Sequence, residues 1–222
     1  KSIIDLLPAN FFFIFSVMQT ILYTSPNETP NEIEIIAQIF DLGLDFLYIR
    51  KPDLDNFSLV DFVEKIPEKY WHKCISTSLI ITKEFDLGGY HFTRDIITKN
   101  ANYNQKVLEW LHCKNKISSV SAHNINDIKN YADVFKHIIV SPVFNSISKP
   151  NYPSNWNKEE LEKIAEYKTT FSNCQLFAVG GVNVSNINEI KSLKFDGVGI
   201  LGALWSQPEH AIANFQKIID AL

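Results

Sequence analysis

The chain has 222 residues, of which 45% are hydrophobic and 21% are charged, and its formal net charge is −4. This composition is typical of a folded globular protein, and the length suits one large core. The acidic balance, with no cluster of Lys or Arg, argues against a nucleic-acid partner. The three cysteines are widely spaced and form no ligand-like pattern. We therefore expect buried, reduced thiols and a cytoplasmic location.

The first residues differ from the rest of the chain. Residues 1–17 contain an apolar run, Phe11–Val17, that is too short to span a bilayer and lacks the flanks of a signal peptide. Met18, the only methionine, directly precedes the first predicted strand. We predict an N-terminal extension at 1–17, a barrel domain at 18–222 and no membrane partner. A cap under the barrel floor is the alternative for 1–17.

Short β-rich runs alternate with segments of helical period beyond Met18. The predicted strands are Thr20–Thr24, Phe46–Arg50, Lys73–Ser76, Gly89–Phe92, Ser118–Ala122, His137–Ser141, Leu176–Val179 and Gly197–Leu201. Amphipathic patterns predict helices at Asn31–Leu42, from Asn124 or Asn126 towards Asp133, and at Asn157–Tyr167, Ser185–Leu193 and Pro208–Leu222. No dinucleotide fingerprint follows the first strand. The pattern predicts an α/β fold, a single (β/α)₈ TIM barrel.

Glycines mark the carboxyl ends of the last two predicted strands. The sequence VGGV (residues 179–182) follows the seventh strand, and Leu201 with Gly202 follows the eighth. Backbone amides without a nearby Cβ can hold a phosphate, and barrels often build such a site after these two strands. The competing interpretation is that the glycines serve only tight turns.

Other strand ends carry cations, hydroxyls and histidines. The loop SPVFNSISK (residues 141–149) could close over a phosphate with two serines and a lysine, although a plain surface loop is the alternative. Arg50 can hold a diphosphate through two N–H groups, or form a surface ion pair. His91 and His123 could face the pocket, but neither has the spacing of zinc ligands. No nucleophile elbow surrounds Ser121, so a serine hydrolase is not indicated.

In chain order, six segments resemble thiamine phosphate synthase and its relative, the thiazole tautomerase. They are LDFLYIRKP, GYHFTRD, ISSVSAHN, IIVSPVFNSISK, LFAVGGVN and FDGVGILGAL, and the resemblance runs from Thr20 to Leu222. It implies a transferase of thiamine biosynthesis that joins a pyrimidine methyl diphosphate to a thiazole phosphate and releases diphosphate. It also implies Mg²⁺ as cofactor and phosphorylated small molecules as substrates. A homodimer is the assembly that we consider.

The thiazole half of the family's site is well matched. The family's phosphate-binding residues correspond to Ser146, Ile147, Ser148, Gly181, Leu201 and Gly202. The serine near the pyrimidine corresponds to Ser121, and the family lysine to Lys149. We therefore expect four catalytic residues, Arg50, Lys51, Ser121 and Lys149. We also expect His91 and His123 to bind substrate.

The pyrimidine half departs from the pattern. The family's Gln-x-Arg-x-Lys frame reads Tyr48, Arg50 and Pro52 here, with Lys51 one place early. The Asn-Asp pair that supplies a Mg²⁺ ligand aligns with a serine and a threonine, Ser76 and Thr77. A hydroxyl does not replace a carboxylate as a charged ligand at little cost.

Two more departures bear on the activity. The second metal-binding Asp aligns with Ile96, so its neighbour Asp95 is the candidate Mg²⁺ ligand. The tautomerase's proton-transferring histidine aligns with Pro142, which has no ionisable group. Two alternatives to the transferase stay open: a thiazole phosphate tautomerase, and a non-catalytic barrel that binds thiazole phosphate or thiamine phosphate.

Overall fold

The computed structural model describes residues 18–145, 154, 156–170 and 173–222. Within them, eight parallel strands pair in chain order and close into a barrel: β1 Gln19–Tyr23, β2 Phe46–Ile49, β3 Cys74–Ser76, β4 Gly89–Phe92, β5 Ile117–Ala122, β6 His137–Val140, β7 Gln175–Val179 and β8 Gly197–Ile200. Every predicted strand is confirmed to within one residue at each end. The predicted (β/α)₈ fold is therefore confirmed, whereas the N-terminal extension at 1–17 lies outside the described residues.

Helices follow the strands around the barrel. They are α1 Glu32–Asp41, α2 Asn56–Glu64, α3 Leu79–Glu84, α4 Arg94–Lys99, α5 Ala101–Cys113, α6 Ile125–Tyr131, α7 Lys158–Tyr167, α8 Ile187–Ser192, α9 Gly202–Trp205 and α10 Ala211–Ala221. Asn124 caps α6, and Asn157 forms a capping box with Glu160 at the start of α7. The sequence patterns did not predict α2 to α5 or α9. Several of these helices are short, and α4 has no buried residue, so it lacks the apolar stripe that marks a helix in the sequence.

Two apolar layers hold the barrel together. A small cluster fills its interior, made of Ile21, Tyr48, Ile75, Ile139 and Phe177. The larger cluster lies between the strands and the surrounding helices. Side chains of a strand alternate between the two layers. This alternation decides which residues reach the mouth at the carboxyl ends of the strands.

The structure also bears on membrane-spanning helices and on the state of the cysteines. Among the described residues, no helix has both the length and the apolar character needed to cross a bilayer. All three cysteines are free thiols. Cys74 and Cys174 are buried as expected, but Cys113 is exposed, because it is the last residue of α5 and points to solvent.

Candidate active site

Strand alternation brings Arg50 to the mouth of the barrel. Tyr48 is packed in the interior, so Arg50, two residues on, points to the same side. The backbone N–H of Arg50 donates to Oγ1 of Thr24 over 2.9 Å, which keeps this segment paired with the end of β1. None of the ion pairs among the described residues involves Arg50. Its guanidinium is therefore available to an anion.

Lys51 lies outside the mouth, because its side chain points to the opposite side of the chain from that of its neighbour Arg50. Its Nζ is 2.6 Å from Oε2 of Glu32, and the side chains of both residues are less than a tenth exposed. The same ammonium lies 4.9 Å from the centre of the Phe62 ring. Glu32 also accepts the backbone N–H of Ser25 over 2.8 Å. The expected role of Lys51 at the diphosphate is thus not supported by its position, which ties the loop after β1 to the loop after β2.

Five hydrogen-bonded side chains, the interior network, connect the mouth to the centre of the barrel. Ser121 Oγ lies 3.2 Å from Nε2 of His91, whose Nδ1 is 2.9 Å from Oγ of Ser119. The Tyr48 hydroxyl donates to Ser119 Oγ over 2.9 Å and lies 3.1 Å from Nδ1 of His137. Only Ser121 is half-buried; the other four are buried. Ser121 is therefore the end of the network that a ligand can reach.

Both histidines of the interior network are neutral near pH 7. Desolvation, aided by the nearby Arg50 charge, lowers the pKa of His91 to about 4. Desolvation likewise lowers the pKa of His137 to about 3. Since unfolded histidines titrate near ~6.5, the unfolded chain binds these protons first as the pH falls. The stability from this pair is present above pH ~6.5 and is lost as pH falls towards ~4.

We expect these two histidines to lower the free energy of unfolding by ~2.7 kcal/mol per pH unit between about pH 6 and about pH 4.5. The substitution His137→Gln removes one of the two protons taken up on unfolding, so the slope should become shallower by ~1.4 kcal/mol per pH unit. Urea unfolding at three pH values measures both slopes. Carboxylates contribute equally to the two proteins, so identical slopes would contradict the burial argument.

His123 links two loops at the rim. Its ring Nδ1 lies 2.7 Å from the backbone carbonyl oxygen of Ser141, to which it donates. Its backbone N–H donates to Oδ2 of Asp127, in the first turn of α6, over 2.9 Å. His123 thus joins the loops after β5 and β6, and its Nε2 is left for other partners.

The glycine-rich rim lies after β7 and β8, which are neighbouring strands. Val179 pairs with Gly199, so Gly181 and Leu201 each follow by two residues and lie at the same edge. Leu201 caps α9, and the backbone N–H groups of Gly202 and Ala203 have no acceptor inside this helix. Gly180 and Gly181 both adopt positive φ. Ser146, Ile147, Ser148 and Lys149, which were predicted as site residues, lie outside the described residues.

Gly181 allows the loop after β6 to pack closely against the rim. A Cβ on this residue would lie 2.4 Å from the carbonyl oxygen of Asn145 and 2.7 Å from Cβ of Phe144. Its φ of +68° is also unfavourable for other residues. The turn and packing interpretation of this glycine is therefore supported, because the loop after β6 lies directly against it, whereas its phosphate-binding role stays a prediction.

We expect Gly181→Ala to weaken the binding of thiazole phosphate at least ~10-fold, or ~1.4 kcal/mol, because the added Cβ displaces the loop at Asn145. Gly43→Ala is the matched control: Gly43 has φ +103°, yet nothing lies within 4 Å of the added Cβ. The control should lose stability through backbone strain but keep its affinity. Isothermal titration calorimetry measures both. Equal affinity losses in the two variants would show that strain, not loop position, is responsible.

The described residues do not provide a fitting Mg²⁺ site. The Asp95 side chain is 82% exposed, and its Oδ2 lies 3.6 Å from Nζ of Lys99 on the next turn of α4. Ile96, at the family's second aspartate position, packs against the core. Ser76 is buried and accepts the Ser78 backbone N–H over 3.0 Å. No group of three or more His, Cys, Asp or Glu side chains in the described part of the chain is arranged so that it could hold a metal ion. The proposed ligand Asp95 therefore belongs to no such cluster.

Ser119 and His137 belong to the interior network but were not predicted from the sequence. Both lie inside strands, where a buried polar residue on an interior-facing position is the signal. Ser119 and Ser121 share one face of β5, and this alternation would have pointed to the network. Tyr48 was recognised only as a departure from the family frame, although it occupies the centre of the network.

The closed barrel, the glycine-rich rim and the polar mouth define the class: a (β/α)₈ barrel with its functional groups at the carboxyl ends of the strands. Residues 20–204 match the family described as "Thiamine monophosphate synthase". The match covers most of the chain. The chain belongs to the thiamine monophosphate synthase family.

Individual relatives agree with this assignment. The thiamine-phosphate synthase of Prochlorococcus marinus subsp. pastoris is 29% identical over 194 residues, which is 82% of this chain and 50% of that protein. The one from Clostridium tetani is 28% identical over 172 residues, 73% of this chain and 75% of that protein. The chain spans about half the length of the two Prochlorococcus relatives that it matches.

Solved structures give the same picture. The thiamine phosphate pyrophosphorylase from Bacteroides thetaiotaomicron is 26% identical, with a TM-score of 0.71 over 92% of this chain and 97% of that one. The thiamine phosphate pyrophosphorylase from Pyrococcus furiosus has a TM-score of 0.74 over 93% of this chain and 96% of that one. Its identity is 13%, so it supports the fold alone.

Proposed function

We propose that this protein is a cytoplasmic transferase of thiamine biosynthesis that joins a pyrimidine methyl diphosphate to a thiazole phosphate. The observation that carries the proposal is that Arg50 and Ser121 both flank His91 at the barrel mouth of a member of this family. Ser121 is within 3.2 Å of His91, and the Arg50 charge helps to lower the pKa of that ring. The mouth thus combines a cation for diphosphate with a hydroxyl for the pyrimidine. The named relatives are synthases, which favours transfer over isomerisation.

In the proposed reaction, the bond between the pyrimidine methylene carbon and the diphosphate oxygen breaks, and its electron pair leaves with the diphosphate. The thiazole nitrogen then supplies the electron pair for the new C–N bond. Arg50 stabilises the departing negative charge, since an arginine stays protonated and can donate two parallel N–H groups. Ser121 orients the pyrimidine, and the rim at Gly181 and Gly202 holds the thiazole phosphate. These contacts align the two reacting atoms.

Mg²⁺, which the resemblance implies, has no carboxylate cage among the described residues. We propose that charge stabilisation in this protein depends on its own cations. The homodimer named in the sequence analysis stays a prediction. Thr77 follows Ile75 by two residues and so points towards the mouth. It is the described position where a carboxylate would restore the family's metal ligand.

We expect Thr77→Asp to make the transfer rate rise several-fold with Mg²⁺, because one carboxylate with substrate phosphates is enough to hold this ion. The rate of the unmodified protein should stay level as Mg²⁺ is added. Thr77→Asn has the same shape without the charge and should behave like the unmodified protein. Diphosphate release measured over a Mg²⁺ series tests all three. A Mg²⁺ response already present in the unmodified protein would contradict this account.

The proposed function is tested by mixing the purified protein with both substrates, with and without Mg²⁺, and measuring thiamine phosphate and diphosphate together. We expect the two products in equal amounts. Failure to form thiamine phosphate under any condition would overturn the transferase. Proton exchange on the thiazole phosphate alone would then indicate the tautomerase, and tight binding without turnover would indicate a binding protein.

A further inference from the structure

The interior network has a direction, because each hydroxyl group in it carries a single proton. Ser119 Oγ contacts two partners, the Tyr48 hydroxyl and His91 Nδ1, each at 2.9 Å. If Ser119 accepts a proton from one, it donates its own proton to the other. The orientation of the Tyr48 hydroxyl therefore decides which nitrogen of His91 carries hydrogen.

Tyr48 is the donor in its contact with Ser119. A phenol is a better donor than an aliphatic hydroxyl, and it is a poorer acceptor because its oxygen lone pair is shared with the ring. The hydroxyl lies 2.9 Å from Ser119 Oγ, closer than the 3.1 Å to His137 Nδ1. His137 then donates its Nδ1–H to the Tyr48 oxygen. Tyr48 is 2% exposed, so no water competes for its proton.

The orientation of Tyr48 is passed on to His91. Ser119 accepts from Tyr48 and must donate to Nδ1 of His91. The ring is neutral, as its depressed pKa indicates, so its single proton is on Nε2. That Nε2–H donates to Oγ of Ser121, 3.2 Å away. One lone pair of Ser121 is thereby occupied, and its own proton is left unused.

We propose that Tyr48 and Ser119 are positioning residues that hold His91 in its Nε2–H tautomer, so that Ser121 acts as a hydrogen-bond donor into the mouth. A ligand at this position must then present an acceptor, such as the lone pair of an aromatic ring nitrogen. This selection of the pyrimidine rests on the proposed function. The tautomer and the direction of the network do not.

Long-range ¹H–¹⁵N spectra of the imidazole rings measure the tautomer directly. We expect the His91 signal, identified by its loss in His91→Gln, to show a protonated Nε2 and an unprotonated Nδ1. A protonated Nδ1 in the unmodified protein would overturn the proposal. This outcome is independent of any catalytic activity.

The substitution Tyr48→Phe removes the donor without changing the shape of the side chain. Ser119 can then point either way, so we expect the Nδ1–H form of His91 to become substantially populated. Tyr90→Phe is the matched control, because Tyr90 is also 2% exposed but belongs to the outer layer of the core. A His91 signal unchanged in Tyr48→Phe would overturn the role of Tyr48 even if the unmodified protein has the expected tautomer.

Activity separates this inference from the proposed function. If the protein is a synthase, Tyr48→Phe should lower kcat about tenfold, which is less than the ~100-fold cost of removing a placed donor outright, because Ser121 itself remains. Tyr90→Phe should leave kcat unchanged. An inactive protein with the expected tautomer would contradict the proposed function alone. An active protein whose kcat is the same in Tyr48→Phe would contradict the link between the network and Ser121.

Discussion

Arg50→Ala should lower kcat/KM for the transfer by about 100-fold or more, the usual cost of removing a group that stabilises developing charge. Arg50 is exposed at the mouth and has no carboxylate partner among the described residues, so its positive charge is free to meet the departing diphosphate. Among the described residues its side chain makes no hydrogen bond to the rest of the fold, and the thermal unfolding of the variant should therefore remain close to normal. Steady-state diphosphate release and a melting curve measure the two effects.

Arg50→Lys is the informative control, because it keeps the charge and loses the paired N–H geometry. We expect it to recover part of the rate, to about tenfold below the unmodified protein, since lysine binds phosphate as a point charge. If Arg50→Ala retained full activity, the leaving group would have to be stabilised elsewhere. Arg50 would then not be the diphosphate-binding residue of the mouth.

Lys51→Ala is expected to act on stability, with a loss of ~3–5 kcal/mol in the free energy of unfolding. The substitution leaves the carboxylate of Glu32 buried without its cation, and burial already raises the pKa of that group against the opposing effect of Lys51. Chemical denaturation measures the loss. The adjacent residues Arg50 and Lys51 should thus give opposite results, one losing rate and the other losing stability.

The double variant Lys51→Met, Glu32→Gln tests the cause. Glutamine can still accept the Ser25 backbone N–H through its side-chain oxygen, and methionine fills the space beside Phe62. We expect most of the lost stability to return, because a buried pair costs little when both charges are removed together. A double variant as unstable as Lys51→Ala would mean that packing, rather than an unpaired charge, accounts for the loss.

The sequence was sufficient for the barrel because eight short β-rich runs, several of them almost wholly apolar, alternate with segments of helical period. The rim was predictable for the same reason, since the fold rule assigns function to strand ends. The roles of Arg50 and Lys51 were not separable at that stage. Their difference depends on the register of a single strand, which becomes visible only when Tyr48 is seen inside the barrel.

The interior network could not be predicted from the sequence, for a different reason. Its members come from β2, β4, β5 and β6, so their contacts follow from barrel closure and not from spacing along the chain. The metal site shows the opposite case. The missing carboxylates were visible in the sequence, and Ile96 and Asp95 then proved to lie against the core and in solvent, respectively.

The filled interior of the barrel also affects how small molecules enter and leave it. Ile21, Ile75 and Phe177 are 0% exposed, and together with Tyr48 they fill the interior of the barrel with side chains. We therefore expect a ligand at Ser121 to enter and leave at the carboxyl ends of the strands. A compound bound close to Ser121 should then dissociate only after any compound bound nearer the rim.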